Sequence, residues 1–74
     1  MTTLNKVGAG QEAKVVCVGG SLEGFIHRLE ALGFRTGVTV MVLLNQWPFP
    51  LHIRIGMTEM ALRRRDAGRI SVRH

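Results

Sequence analysis

The chain has 74 residues, of which 46% are hydrophobic and 20% are charged, and its formal net charge is +5. This composition is too apolar for a disordered chain, and so short a sequence leaves room for one domain, residues 1–74. Cys17 is the only cysteine, which excludes an internal disulfide and a cysteine-rich zinc module.

Five short segments show the composition or the alternation of β-strands. They are residues 12–18, 38–44, 51–55, 59–63 and 69–73. Glycines and the prolines at positions 48 and 50 separate them, because neither residue type continues a regular strand. One further helical turn is predicted over residues 65–68, before the last strand.

The segment 21–32 has the period of an α-helix. Ser21 is a suitable N-cap, and Gly33 supplies the left-handed residue that commonly follows a helix. The apolar residues at helical spacing, which are expected to face the core, are Leu22, Phe25, Ile26, Leu29 and Leu32. Phe34 is expected to fold back onto the last turn.

These elements predict a mainly β fold. About five short strands with one inserted α-helix (about 21–32) favour a small SH3-like β-barrel, in which the helix lies between the first two strands. We expect the barrel to be closed, because a closed sheet has no edge strands that could pair with other chains.

No transmembrane segment is predicted. The longest apolar run, residues 38–44, is far shorter than the roughly 20 residues that a membrane helix needs. Residues 1–6 lack the basic and apolar regions of an export signal, so a cytoplasmic location is expected.

Three blocks of the sequence resemble the FeoA family, ferrous iron transport protein A. The first block comprises Leu4, Val7, Gly10, Ala13, Val15 and Val18. The second and most specific block is RLEALGFRTG at residues 28–37, which is similar to the family's R-L-x-x-L-G-(aliphatic)-x-P-G. The third comprises Ile53-Arg54-Ile55-Gly56, Ala61-Leu62-Arg63-Arg64, Ala67, Ile70 and Val72. Together the blocks extend from Leu4 to Val72.

The resemblance implies a cytosolic SH3-like domain that accompanies FeoB, a membrane transporter for ferrous iron with a cytosolic GTPase domain. It implies support or regulation of iron uptake rather than catalysis, and a position at the inner face of the membrane through the partner. The same fold occurs as a C-terminal domain of iron-dependent repressors of the diphtheria-toxin-repressor type.

The sequence departs from the family pattern at two places. Thr36 replaces the proline before the glycine of the second block, which is a mild change in a turn. Residues 47–50, Trp-Pro-Phe-Pro, replace a commonly seen Gly-Asp-Pro, which alters a surface that a partner could recognise.

No constellation of catalytic residues is present in the sequence. Cys17 lies in the middle of a predicted strand, where a small packed residue is the commoner occupant. The glycines before Ser21 lack the remainder of a phosphate-binding loop motif. The chain is therefore not expected to be an enzyme.

Metal binding has one weak set of candidates. Glu23, His27 and Glu30 lie on one face of the predicted helix, and their oxygen and imidazole donors suit Fe²⁺ or Zn²⁺. An ordinary solvated polar face explains the same pattern, so no bound cofactor is predicted.

Residues 38–44 are apolar on both faces, although a thin barrel has only one interior. The side expected to face inward comprises Val38, Val40, Val42 and Leu44. Met41 and Leu43 then remain partly exposed, and Trp47 and Phe49 in the adjacent loop would extend that apolar surface. This predicts a partner-binding patch, with mutual covering by the loop as the alternative.

The second half of the chain is the more basic. Its arginines, which predict a basic face, are Arg63, Arg64, Arg65, Arg69 and Arg73. Such a face suits an acidic protein, an anionic membrane or nucleic acid, whereas a solvated charge run is the simpler interpretation. The aromatic residues lie elsewhere in the sequence, which disfavours nucleic acid.

The sequence thus predicts a cytosolic accessory protein of ferrous iron uptake that binds a FeoB-like membrane transporter. Two alternatives stay open: a small basic nucleic-acid-binding barrel, and a freestanding sensor domain like that of the repressors. Self-association through the same patch also stays open.

Overall fold

The computed structural model describes residues 1–19 and 28–74. Its six strands are β1 (Thr2–Thr3), β2 (Glu12–Val18), β3 (Thr39–Leu44), β4 (Leu51–Ile55), β5 (Thr58–Leu62) and β6 (Ile70–Arg73). A 3-10 turn covers Leu4–Lys6, residues 28–31 are helical, and the short helix α1 covers Arg64–Ala67. The mainly β prediction is confirmed. The predicted strands correspond to β2–β6, and β1 was missed because two threonines carry no alternation.

The strands form one antiparallel sheet in the order β1-β6-β2-β3-β4-β5. The prediction of a closed barrel is wrong for the described strands, because β1 pairs only with β6 and β5 pairs only with β4. Strand β1 has two residues, because the 3-10 turn begins at Leu4. So short a strand does not reach β5. A short edge strand also offers little backbone to other chains.

The core lies on the inward face of the sheet, where alternate strand residues are buried. Its fully buried members from the strands include Val15, Val40, Val42, Leu51, Ile53, Ile70 and Val72. Leu4 and Val7 enter from the 3-10 turn and its end, and Leu29 and Phe34 enter from the segment that precedes β3. The core therefore uses apolar residues from both ends of the chain and from its middle.

The helix prediction is confirmed at residues 28–31, and its portion from 21 to 27 lies outside the described residues. Leu29 is buried as expected, and Phe34 folds back so that its N–H bonds to the Leu29 carbonyl at 3.0 Å. Leu32 was expected in the core but is 45% exposed. The helix has ended before Leu32, and Gly33 at φ +104° redirects the chain.

The turn at residues 35–38, before β3, contains Thr36, which stands where the family pattern has proline. The N–H of Val38 bonds to the Arg35 carbonyl at 3.1 Å, and Gly37 has φ +92°. A positive φ at the third turn position belongs to a type II turn, which favours proline at the second position. Thr36 occupies that second position, and its hydroxyl donates to the Val16 carbonyl at 3.3 Å.

Asp66 is the buried acidic residue of the described chain, and it joins α1 to the segment at 28–31. Its residue exposure is 5%, and its Oδ2 lies 3.0 Å from Nε of Arg63 and 3.6 Å from Nη2 of Arg28. A carboxylate out of water needs such donors, because desolvation penalises an unpaired charge. Asp66 therefore fixes where α1 sits against the rest of the fold.

We predict that Asp66→Ala lowers the free energy of unfolding by about 1–3 kcal/mol, because two arginines lose their shared acceptor. Urea denaturation followed by circular dichroism measures the change. The control is Arg65→Ala in the same helix, whose exposed side chain should matter by about 0.5 kcal/mol or less. Equal losses in the two variants would contradict the role given to Asp66.

Candidate docking surface

Strand β3 places apolar side chains on both sides of the sheet. Val40 and Val42 are fully buried on the inward side, whereas Met41 and Leu43 are half-buried on the outward side. Met41 lies opposite Glu12 on one neighbouring strand and Arg54 on the other. Charged residues therefore flank Met41 on both sides, on the outward face of the sheet.

A β-bulge at the end of β3 changes the side to which Leu44 belongs. Val42 pairs with Ile53, but the register then shifts so that Leu44 pairs with the exposed His52. Leu44 was expected to face inward in line with Val42, and it is instead 49% exposed. A bulge inserts one residue and interrupts the alternation, a change that the sequence pattern does not reveal.

The loop between β3 and β4 exposes two aromatic rings. Trp47 is 81% exposed and Phe49 is 64% exposed. The N–H of Phe49 bonds to the Gln46 carbonyl at 2.8 Å, which closes a turn around the proline between the two rings. Mutual covering by the loop, the alternative considered above, does not occur. We call Met41, Leu43, Leu44, Trp47 and Phe49 the apolar patch.

The Trp47 ring has a cationic neighbour. The guanidinium carbon of Arg64 lies 5.5 Å from the ring centroid, within the range of a cation–π interaction. Nη2 of Arg64 donates to the Asn45 side-chain oxygen at 2.8 Å, whereas its Nε is buried with no hydrogen-bond partner among the described residues. The first turn of α1 is thus joined to the loop that carries Trp47.

Asn45 anchors the start of this loop. Its Nδ2 donates to the backbone carbonyls of Asn5 at 3.0 Å and Val7 at 2.8 Å, while its Oδ1 accepts from Arg64. Residues from three separate parts of the chain therefore meet at one half-buried amide. The sequence pattern does not single out Asn45, because an asparagine after a strand is ordinary turn chemistry.

The predicted basic residues have different surroundings. Arg63 is paired with Asp66, and Arg64 is held between Asn45 and Trp47. Arg65 and Arg69 are exposed near the end of α1 and the start of β6. Arg73 is exposed on β6, directly opposite Lys14 of β2.

The metal candidates are only partly described. Glu30 is exposed on the helical segment, and Glu23 and His27 lie outside the described residues. Within residues 1–19 and 28–74, no group of three or more His, Cys, Asp or Glu side chains could hold a metal ion. In the same part of the chain, no helix has the length and apolarity to cross a membrane.

An antiparallel sheet of short strands around a thin apolar core defines a small domain of the SH3-like class. A crystal structure of Stenotrophomonas maltophilia FeoA complexed with zinc, an SH3 domain protein, is similar at a TM-score of 0.86 and 28% identity, covering 99% of this chain and 91% of that one. The family model of the FeoA domain matches residues 2–74. The chain belongs to the FeoA family, which is associated with ferrous iron transport.

Other solved structures agree with this assignment. A crystal structure of an iron uptake regulatory protein, FeoA, has a TM-score of 0.91 and 29% identity, covering 97% of this chain and 95% of that one. The solution structure of FeoA from Chlorobium tepidum has a TM-score of 0.82 and 27% identity, covering 96% and 68% of the two chains. No curated protein matches the sequence.

Two further structures share the fold at lower identity. One is a manganese-dependent transcriptional repressor, with a TM-score of 0.85 and 15% identity, covering 95% of this chain and 39% of that one. The structure of ScaR with bound Cd²⁺ has a TM-score of 0.85 and 19% identity, and the match covers 100% of this chain but 36% of that one. Identity at this level shows a common fold alone, so it carries no argument for a sensor role.

We predict that Asn45→Ala lowers the free energy of unfolding by about 1–3 kcal/mol, because the Asn5 and Val7 carbonyls lose their donor. Chemical denaturation monitored by circular dichroism gives the value. Gln46→Ala is the matched control, since its exposed side chain makes no hydrogen bond among the described residues. A change below about 0.5 kcal/mol in Asn45→Ala, the size of an ordinary surface substitution, would show that Asn45 is not an anchor.

Proposed function

We propose that this chain supports ferrous iron uptake by binding the cytosolic, GTPase-containing part of a FeoB-like transporter. The observation that best supports this proposal is the apolar patch. It exposes a tryptophan and a phenylalanine, although a chain this short has few large apolar side chains with which to build its core. Binding, rather than catalysis, is the proposed activity. The proposed site of action is the cytoplasm, at the inner face of the membrane through the transporter.

The composition of the patch supports recognition of a protein surface. Aromatic residues, methionine and arginine are enriched at the centres of interfaces, and Trp and Arg often dominate the binding energy. Trp47 and Arg64 provide that pair in contact with each other. Their geometry is fixed in advance through Asn45, so little side-chain freedom would be lost on binding.

The charge around the patch indicates the chemistry of the partner surface. Two arginines, Arg64 and Arg54, and one acidic residue, Glu12, border the patch, and the whole chain carries a net charge of +5. An apolar partner surface with an acidic rim would complement this arrangement and would raise the association rate.

The nucleic-acid alternative has less support. Arg63 and Arg64 already interact with Asp66, Asn45 and Trp47, so two of the basic residues are engaged within the fold. Nucleic-acid binding by such a small barrel also needs aromatic rings interleaved with free cations. Trp47, the ring that contacts the cluster through Arg64, is thus already paired with one of its cations.

The test compares two variants in a calorimetric titration with the isolated cytosolic part of the transporter. We expect the double variant Met41→Ser, Trp47→Ala to weaken binding at least about tenfold. It removes two side chains of the apolar patch, and one of them is a tryptophan that we expect to become buried in the complex. Met57→Ser is the control, since Met57 is 99% exposed in the turn between β4 and β5. Its affinity should equal that of the wild type.

Circular dichroism spectra establish that both variants remain folded. Unchanged affinity of the double variant would remove the apolar patch from the interface. An equal loss in Met57→Ser would mean that general surface hydrophobicity, and not this patch, drives association. Absence of binding by the wild type would overturn the proposed partner.

A further inference from the structure

A second surface is formed where β2, β6 and the turn at residues 35–38 meet. Lys14 on β2 and Arg73 on β6 are direct cross-strand partners, so their side chains leave the same face of the sheet. Like charges placed directly opposite each other destabilise a sheet. Both residues are exposed, and neither side chain forms a hydrogen bond or an ion pair with any residue that the structure describes.

These two cations border a shallow cavity of about 220 Å³. Its lining comprises Lys14, Val15, Val16, Thr36, Gly37 and Arg73. The charged residues of the lining, Lys14 and Arg73, are both positive. No carboxylate contributes to the lining.

Backbone hydrogen bonds hold the shape of this cavity. The N–H of Val15 bonds to the Val38 carbonyl, and the N–H of Gly37 bonds to the Val15 carbonyl, both at 2.8 Å. Beside them, the pairing of β2 with β6 shifts register between Val15 and Cys17, which leaves Val16 at a β-bulge. Bulges recur next to binding sites, because they re-aim side chains and end regular pairing.

Thr36 adds a hydroxyl to the lining. That hydroxyl donates to the Val16 carbonyl at 3.3 Å, which is a long hydrogen bond. A stronger acceptor in the cavity could compete for this donor. The Lys14 ammonium donates as a point charge, the Arg73 guanidinium donates through a planar fork, and Thr36 adds a hydroxyl donor. This combination suits the several oxygens of a phosphoryl group.

We propose that the cavity between Lys14, Arg73 and Thr36 is a binding site for a phosphoryl group. A bound dianion would neutralise Lys14 and Arg73. Because these two cations repel each other in the free chain, relief of that repulsion would add to the free energy of binding. The group can belong to free inorganic phosphate or to the headgroup of a phosphomonoester lipid. The site shares no residue with the apolar patch and does not depend on the proposed transporter partner.

The first experiment is a titration of the isotopically labelled chain with inorganic phosphate at constant ionic strength, followed by amide NMR shifts. We expect the shifts to concentrate on residues 14–16, 36–37 and 73. Lys14→Gln and Arg73→Gln should each weaken binding about tenfold, because each removes a charge-assisted contact. Arg65→Gln, an equal change of charge on α1, should leave the affinity unchanged.

Other anions and membranes distinguish the ligand chemistry. Sodium acetate at the same ionic strength should shift these amides far less, and an equal response to acetate would refute a phosphoryl site. Vesicles containing phosphatidic acid, compared with phosphatidylcholine alone, test the lipid source. Binding to phosphate without vesicle binding assigns a free ligand, and vesicle binding that needs Lys14 and Arg73 assigns a headgroup.

Thermal unfolding gives an independent readout. Lys14→Gln should raise the melting temperature in dilute chloride, because it removes the like-charge pair. Phosphate should raise the melting temperature of the wild type but not that of the variant, since a ligand stabilises only the state that binds it. Shifts spread over all arginines, or an equal loss of binding in Arg65→Gln, would overturn the proposal.

Discussion

The three hydrogen bonds of the Asn45 side chain are the interaction on which the arrangement of the apolar patch depends. An open sheet of short strands has two edges, and here the 3-10 turn after β1 and the helix α1 must be held against the end of β3 without strand pairing. Asn45 does this by donating to the carbonyls of Asn5 and Val7 and accepting from Arg64. The same contacts hold Arg64 beside Trp47, so the stability of the fold and the presentation of the tryptophan have a common origin.

The size of the chain explains why an apolar surface remains. A domain this small buries a limited share of its surface, and the inward faces of the strands already fill the core. Met41 and Leu43 lie on the other side of β3, and the bulge moves Leu44 to join them. Each exposed apolar side chain adds a risk of aggregation, so retaining several of them close in sequence is more easily explained by a binding role than by folding.

The sequence was sufficient to predict the elements whose signals are local. Alternation located β2–β6, and Gly33 with Phe34 located the end of the helical segment. Features set by long-range pairing were not predictable in this way. Strand β1 exists only through its pairing with β6, and the exposure of Leu44 follows from a register shift against β4. The Asn45 contacts with Asn5 and Val7 join residues far apart in sequence, and one sequence by itself gives no signal for such contacts.

The central claim is that the apolar patch, and not a sheet edge or the arginines of α1, contacts the transporter. Amide hydrogen exchange of this chain, alone and with the cytosolic part of the transporter, tests that claim directly. The account predicts slowed exchange at residues 41–49, with little change along β1 and β6. Protection confined to the edge strands, with residues 41–49 exchanging as in the free chain, would contradict it.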